Sequence, residues 1–348
     1  LTTLNLNGNQ VADVSPLAAL TDLEVLHVAS NLVTDASPLA GLVKLRELRL
    51  DGNLVPDLTP LAGLDQLTLL NLRATGATTI DVLAGMTALA NLDLRDNQVT
   101  DLTPLAGLTN LSNLRLARNL IEDAGPLAGL SALTFLDLEA NLLTSLAPLE
   151  GLVALGYLDA SRNQVADLSP LRGMTALATV HLDRNLITDV APLADLTAVA
   201  QLQIGRNEIA DASPLAGMTS MATLNIENNL LTSLEFVRGM TELSNLDLST
   251  NSVSDIEPVR GLANLVSLDL GRNAVVDLSP LVGLETLQVL TVLRNQVHDI
   301  TPLLSLPALT QVALERNCVP ASALTDTSIG RLMASGVEVT YEPQVTCG

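Results

Sequence analysis

Asparagine returns through this chain every 22 residues, at Asn9, Asn31, Asn53, Asn97, Asn119, Asn141, Asn163, Asn185, Asn207, Asn229, Asn251, Asn273, Asn295 and Asn317, with Thr75 in the one missing place. The stretch Leu89 to Asn110, LANLDLRDNQVTDLTPLAGLTN, shows what each interval carries: apolar residues at Leu89, Leu92, Leu94, Val99, Leu102, Leu105 and Leu108 around Asn97. A unit this short cannot hide so many apolar side chains from water alone. It can do so as one slice of a stack, and a period without insertions makes equivalent positions of successive slices neighbours. Fifteen units, the first at Leu1 and the last at Leu309, predict one quasi-one-dimensional domain over residues 1–320 and a distinct ending over 321–348.

Within each unit the pattern LxxLxLxxN predicts a short strand, its leucines turned inward and positions 3, 5 and 7 turned out onto a parallel sheet. At about 4.8 Å per strand, fifteen would make a sheet roughly 70 Å long. The asparagine at position 9 carries donors and an acceptor for the backbone of its own loop and the next, so Asn97, Asn119, Asn141, Asn163, Asn185 and Asn207 read as a structural ladder. Thr75 cannot supply both functions, and Val82 stands where proline is usual, so the fourth unit should be locally irregular. On the outer side Ser or Thr followed by Pro recurs, as at Ser15-Pro16 and Thr103-Pro104. A hydroxyl at the N-cap with proline at the first helical position opens a short 3₁₀ or single α turn. After Asn317 the period breaks; Ala321 to Ser335 has near-helical spacing, Gly336 stops it, and Val337 to Tyr341 reads as a strand. A solenoid needs such a cap over its last apolar face.

Units of the form LxxLxLxxNxVxDLxPLxGLxx resemble the leucine-rich repeats of the internalin class of bacterial surface proteins. They are also similar to the 22-residue repeats of the eukaryotic phosphatase regulator known as SDS twenty-two. The resemblance covers residues 1 to about 320. It implies an α/β solenoid: a right-handed leucine-rich-repeat horseshoe with a parallel β-sheet on the concave face, short turns on the convex face and a C-terminal helix-strand cap. It further implies recognition of a protein or glycan ligand on the concave face, without catalysis or cofactor, outside a prokaryotic cell. Two features depart from the class. Aromatics are only 1% of residues, and Leu1 already occupies the first position of a repeat, so a trimmed N-terminus with its targeting information elsewhere is expected. An unprotected first strand at Leu1 to Leu6 also motivates an alternative, self-association through that edge into a surface layer or fibre.

Charge narrows the partners. With 38 acidic against 17 basic residues and a net charge of −21, the chain lacks the basic stripe that supplies most nucleic-acid affinity. No apolar run is long enough to span a membrane. Three dispersed histidines, His27, His181 and His298, cannot assemble a metal centre or a catalytic triad. Cys318 and Cys347, the only cysteines, bracket the ending; their bonding would close a loop worth about 3 kcal/mol and would imply an oxidising compartment.

Aspartate at position 13, from Asp13 to Asp299 in eleven units, could form a calcium ladder or accept backbone amides at a turn; the thin ligand set favours the turn. Arginine at position 8, namely Arg118, Arg162, Arg184, Arg206, Arg272, Arg294 and Arg316, has two readings, an ion-pair ladder or a site for a carboxylate-bearing or anionic glycan partner. The sharpest local signal is aromatic: Phe135 and Tyr157 share position 3 in consecutive units and should touch on the sheet. Around them the candidate partner-binding residues are Arg115, Asp137, Glu139, Asp159, Arg162, His181, Asp183 and Arg184. Exposed rings flanked by charge are typical of interface hot spots, although a ring pair can also merely shield sheet backbone.

Overall fold

A computed structural model describes residues 1–319 and 328–345. The chain forms two compact units, Leu1–Leu177 and Ala178–Gly348, divided where the ninth repeat begins. In the first, eight three-residue strands lie in sequence order and run parallel: β1 (Thr3–Asn5), β2 (Val25–His27), β3 (Glu47–Arg49), β4 (Leu69–Asn71), β5 (Asn91–Asp93), β6 (Asn113–Arg115), β7 (Phe135–Asp137) and β8 (Tyr157–Asp159). The second repeats the arrangement with β9 (Thr179–His181), β10 (Gln201–Gln203), β11 (Thr223–Asn225), β12 (Asn245–Asp247), β13 (Ser267–Asp269), β14 (Val289–Thr291), β15 (Gln311–Ala313) and β16 (Glu338–Thr340). Register advances by one repeat per strand, as in Leu114 opposite Leu136 and Leu136 opposite Leu158.

The repeat pattern explains the core. Leu89, Leu92, Leu94, Val99, Leu102, Leu105 and Leu108 are all at most 1% exposed, each packed between its counterparts one repeat away. Fully burying such a side chain contributes about 1.5–3 kcal/mol, so the stack rests on aliphatic contacts that need no aromatic ring.

Thr75 apart, the asparagine column is continuous within each unit. Asn97 Nδ2 donates to Leu94 O at 2.9 Å in its own turn and to Leu72 O at 2.8 Å in the preceding repeat. Its Oδ1 accepts the Ala77 amide at 3.0 Å. Thr75, at 0% exposure, keeps only part of this: its hydroxyl donates to Leu72 O at 2.9 Å but does not reach back a repeat. That is the irregularity expected of the fourth unit.

On the side away from the strands each connection from β1 to β15 contains a 3₁₀ turn of three to five residues, such as Ser15–Ala19 and Thr103–Leu105. The hydroxyl is not its N-cap. The 3₁₀ turn starts at the Ser or Thr itself, and the preceding residue is apolar, Val14 or Leu102, with no side-chain cap. The position-13 aspartate does the work instead, accepting the amide two residues on: Asp13 from Ser15, Asp101 from Thr103, Asp123 from Gly125, all at 2.7–2.8 Å. The same bond occurs in all eleven aspartate-bearing units, which accounts for the row as turn chemistry.

Position 8, just before each asparagine, adopts a left-handed conformation in every repeat. Gly8 and Gly52 do so freely, but thirteen other residues have φ between 49° and 58°, seven of them arginine. A side chain in this region costs on the order of 1 kcal/mol. Ala140 (φ 54°) brings no compensating polar group. Ala140→Gly should therefore raise unfolding stability by about 0.5–1 kcal/mol; a lower urea midpoint would show that the turn is not strained.

The ending is a helix-strand cap within the described residues. Helix α1 (Ser328–Ala334) buries Ile329 and Leu332, Gly336 (φ 94°) terminates it, and β16 pairs parallel with β15, Val339 opposite Val312. The expected helix start at Ala321, the 320/321 domain boundary and Cys347 lie outside the described residues. Cys318 is 8% exposed, and no free cysteine occurs among the described residues.

Candidate functional site

Strand position 3 in the first unit runs Asn91, Asn113, Phe135, Tyr157 across β5 to β8 in direct register. In a parallel ladder, registered side chains on one face must touch. The Phe135 and Tyr157 rings stack with centroids 4.2 Å apart and planes 4° from parallel. Arg115, the last residue of β6 and position 5 of its repeat, lies with its guanidinium 4.9 Å from the Phe135 centroid. Cation, ring and ring thus form one half-exposed pile on the strand face.

Carboxylates flank this pile. Asp137 and Asp159 are registered neighbours on β7 and β8, and Asp137 Oδ1 accepts the Glu139 amide at 3.1 Å. Burial, reinforced by the Asp159 charge, pushes the Asp137 pKa up to about 6. Burial and the same acidic neighbours push Tyr157 up to about 12, keeping its phenol neutral. Between the ordinary carboxylate value of 3.8 and about 6 the folded state binds a proton that the unfolded state releases, so Asp137 makes the fold less stable as pH rises through that window. Asp137→Asn should hence melt above the wild type at pH 7 and with it at pH 4. Equal melting at both would mean that the carboxylate is not held against its charge.

The position-8 arginines divide between the two sequence readings. In the first unit they join a chain of ion pairs that begins at Arg73, a position-7 arginine: Arg73 Nε to Asp96 at 2.6 Å, then the position-8 Arg118 to Asp96 at 3.8 Å and to Glu139 at 4.0 Å, and Arg162 to Glu139 at 3.2 Å. In the second, Arg206 meets Glu227 at 2.9 Å. Glu139 and Arg162, singled out as partner-binding, are thus partly committed to each other. Such exposed pairs contribute at most about 1 kcal/mol each. Arg115, Phe135, Asp137, Glu139, Tyr157, Asp159 and Arg162 come together in the first unit, whereas His181, Asp183 and Arg184 belong to the second.

The sequence reading missed one neighbouring feature. A hollow of about 180 Å³ lies beside Arg115, lined by Asn71, Asn91, Asn113, Asp93 and Arg95 among others. Asp93, 6% exposed, holds Arg95 in a two-point contact at 3.0 and 2.6 Å. Asparagines at position 3 of two consecutive units were the available signal. Among the described residues no group of histidine, cysteine, aspartate and glutamate could hold a metal ion, and no helix is long and apolar enough to cross a membrane.

Comparison with known proteins agrees with this architecture. The family profile described as Leucine Rich repeats (2 copies) matches residues 1–41 and 87–129. No curated protein sequence gives a significant match. Among solved structures, an internalin (inlF) from Listeria monocytogenes is 33% identical, covers 83% of this chain and 86% of its own, and superposes with a TM-score of 0.82. A leucine-rich-repeat protein of Leptospira interrogans shares the fold at 19% identity, over 96% of this chain and 100% of its own, with a TM-score of 0.74. So does the Arabidopsis receptor kinase HAESA, solved with the peptide hormone IDA and the co-receptor SERK1, at 20% identity over 98% of this chain and 62% of its own, TM-score 0.73. Periodic aliphatic core, asparagine ladder and the listerial match together assign the chain: it belongs to the internalin-like leucine-rich-repeat proteins.

Proposed function

We propose that this chain is a non-catalytic recognition module that grips a protein ligand on its strand face, at the Arg115–Phe135–Tyr157 pile. The observation that carries this reading is the ring stack itself. A chain with two phenylalanines and two tyrosines places one of each in contact on the face where neither is needed for the aliphatic core. Large, rigid rings lose little entropy on binding, and a cation at one end with carboxylates alongside supplies orientation. Asp137, Asp159 and Glu139 suit a ligand segment that brings a basic residue next to an apolar one. The peptide hormone held by the HAESA complex supports a protein ligand for this fold, and the listerial relative supports a place on a bacterial cell exterior. A bond from Cys318 to Cys347 would fit that compartment.

Arrays of extracellular proteins and of glycans, each probed with wild type and with Phe135→Ala/Tyr157→Ala, test the reading. Protein ligands captured by the wild type and lost by the variant support it. Capture confined to glycans, or unaffected by the variant, overturns it.

A further inference from the structure

We propose that Arg272, Arg294 and Arg316 form a track that binds the carboxylates of a linear acidic polysaccharide, with the hollow beside Arg272 receiving its sugar hydroxyls. The three arginines hold position 8 of consecutive repeats, immediately after β13, β14 and β15, and all are exposed. Their backbone is fixed: Arg272 N donates to Leu293 O and Arg294 N to Glu315 O, both at 2.7 Å. The side chains therefore leave the sheet edge at one per strand, at intervals of about 4.8 Å.

What separates this trio from the other position-8 arginines is a lack of counter-charge that runs through three consecutive repeats; Arg184 also makes no ion pair among the described residues, but its neighbours Arg162 and Arg206 are both paired. Arg118, Arg162 and Arg206 each meet a carboxylate. Among the described residues none approaches Arg272, Arg294 or Arg316 within the 4.0 Å of an ion pair, in a chain that carries 38 acidic side chains. Even Glu315, next in sequence to Arg316, makes no ion pair with these arginines, and its Oε2 is enclosed without a hydrogen-bond partner among the described residues. The positive charges face one another instead: repulsion from Arg316, then Arg272, lowers the Arg294 pKa. Each also sits at φ 55–57°, where glycine or asparagine would be at ease. Backbone strain and like-charge repulsion thus coincide at three successive repeats with no ion pair among the described residues to offset them, which is what a surface kept for an external anion requires.

The spacing selects the kind of anion. Guanidinium groups bind carboxylates through paired hydrogen bonds. An interval of about 4.8 Å is close to the length of one sugar in an extended chain, whereas same-face side chains of an extended peptide recur at roughly 6.8 Å. The adjoining hollow, about 420 Å³, is lined by Asn228, Ser249, Thr250 and Thr291, which offer the short polar groups that sugar hydroxyls pair with. Two carboxylates line it as well: Glu227, already paired with Arg206, and Asp269, whose Oδ1 accepts the Gly271 amide at 2.8 Å. None of these residues belongs to the pile in the first unit, so the two sites stand or fall separately.

Calorimetric titration of the full chain with an oligogalacturonate long enough to span three strands, at low and at physiological salt, tests the proposal. The expected result is saturable binding that weakens as salt rises and falls about tenfold or more in Arg272→Asn/Arg294→Asn/Arg316→Asn. Asparagine tolerates the left-handed backbone, so melting of that variant should match or exceed the wild type. A control with the same charge change elsewhere, Arg172→Gln/Arg238→Gln/Arg260→Gln, should bind as the wild type, and neutral dextran should not bind. Absence of saturable binding, an equal loss in the control, or polyglutamate binding as tightly as the oligogalacturonate would each overturn it, the last by marking the track as a site for an acidic protein segment.

Discussion

Replacing Asn163 with alanine should destabilise the first compact unit by about 3 kcal/mol or more, because buried polar groups left without partners cost about 1–3 kcal/mol each. Asn163, 8% exposed, donates to Leu138 O at 3.0 Å, Ala160 O at 3.1 Å and Ser161 O at 3.1 Å, and accepts the Leu143 amide at 3.0 Å. Alanine removes all four bonds and admits no group that could replace them. Asn163→Thr should fall between the two, since Thr75 shows that a hydroxyl at this position recovers the bond to the carbonyl three residues back. Because a repeat stack can open locally, urea unfolding should be read together with hydrogen exchange at the Leu143 amide. Its protection should drop in the alanine variant. A loss of stability below about 0.5 kcal/mol, with Leu143 still protected, would show that the ladder is decoration rather than framework.

Much of this was readable from the period alone. A constant 22-residue interval turns sequence arithmetic into spatial adjacency, so the asparagine column and the Phe135–Tyr157 contact follow from counting positions. Terms that depend on side-chain length and backbone dihedrals were not readable. Position 8 is left-handed in every repeat, yet only Gly8, Gly52, Asp96 and Asn228 are residues that announce it; the arginines hide it because their charge suggests a surface role without naming a backbone state. The N-cap assignment failed for a related reason: both Asp13 and Ser15 can cap, and only the one-turn geometry decides that the carboxylate two residues ahead reaches the amide. Which arginine a carboxylate selects is likewise geometric, as Glu139 lies closer to Arg162 than to Arg118. So the slice was legible, and the partition of its charged edge into a paired part and an unpaired part was not.

Removing both rings should separate binding from folding. In Phe135→Ala/Tyr157→Ala, affinity for a protein ligand should fall by about 2 kcal/mol or more, roughly thirtyfold, as for hot-spot residues at other interfaces. The cost to stability should be smaller, because the two side chains are half-exposed and lie outside the aliphatic stack; the stacking lost is worth about 0.5–1.5 kcal/mol. The single variants should be unequal. Phe135 touches both Arg115 and Tyr157, so its loss breaks two contacts, and Phe135→Ala should weaken binding more than Tyr157→Phe, which preserves the stack. Arg115→Gln adds a discriminating arm: if the guanidinium meets the ligand directly, affinity drops and its salt dependence changes, whereas if it only steadies the Phe135 ring, affinity drops slightly and the salt dependence stays. Unchanged affinity in the double variant, with its fold intact by melting, would reduce the pile to a shield over sheet backbone and move the search for the binding face elsewhere on the repeats.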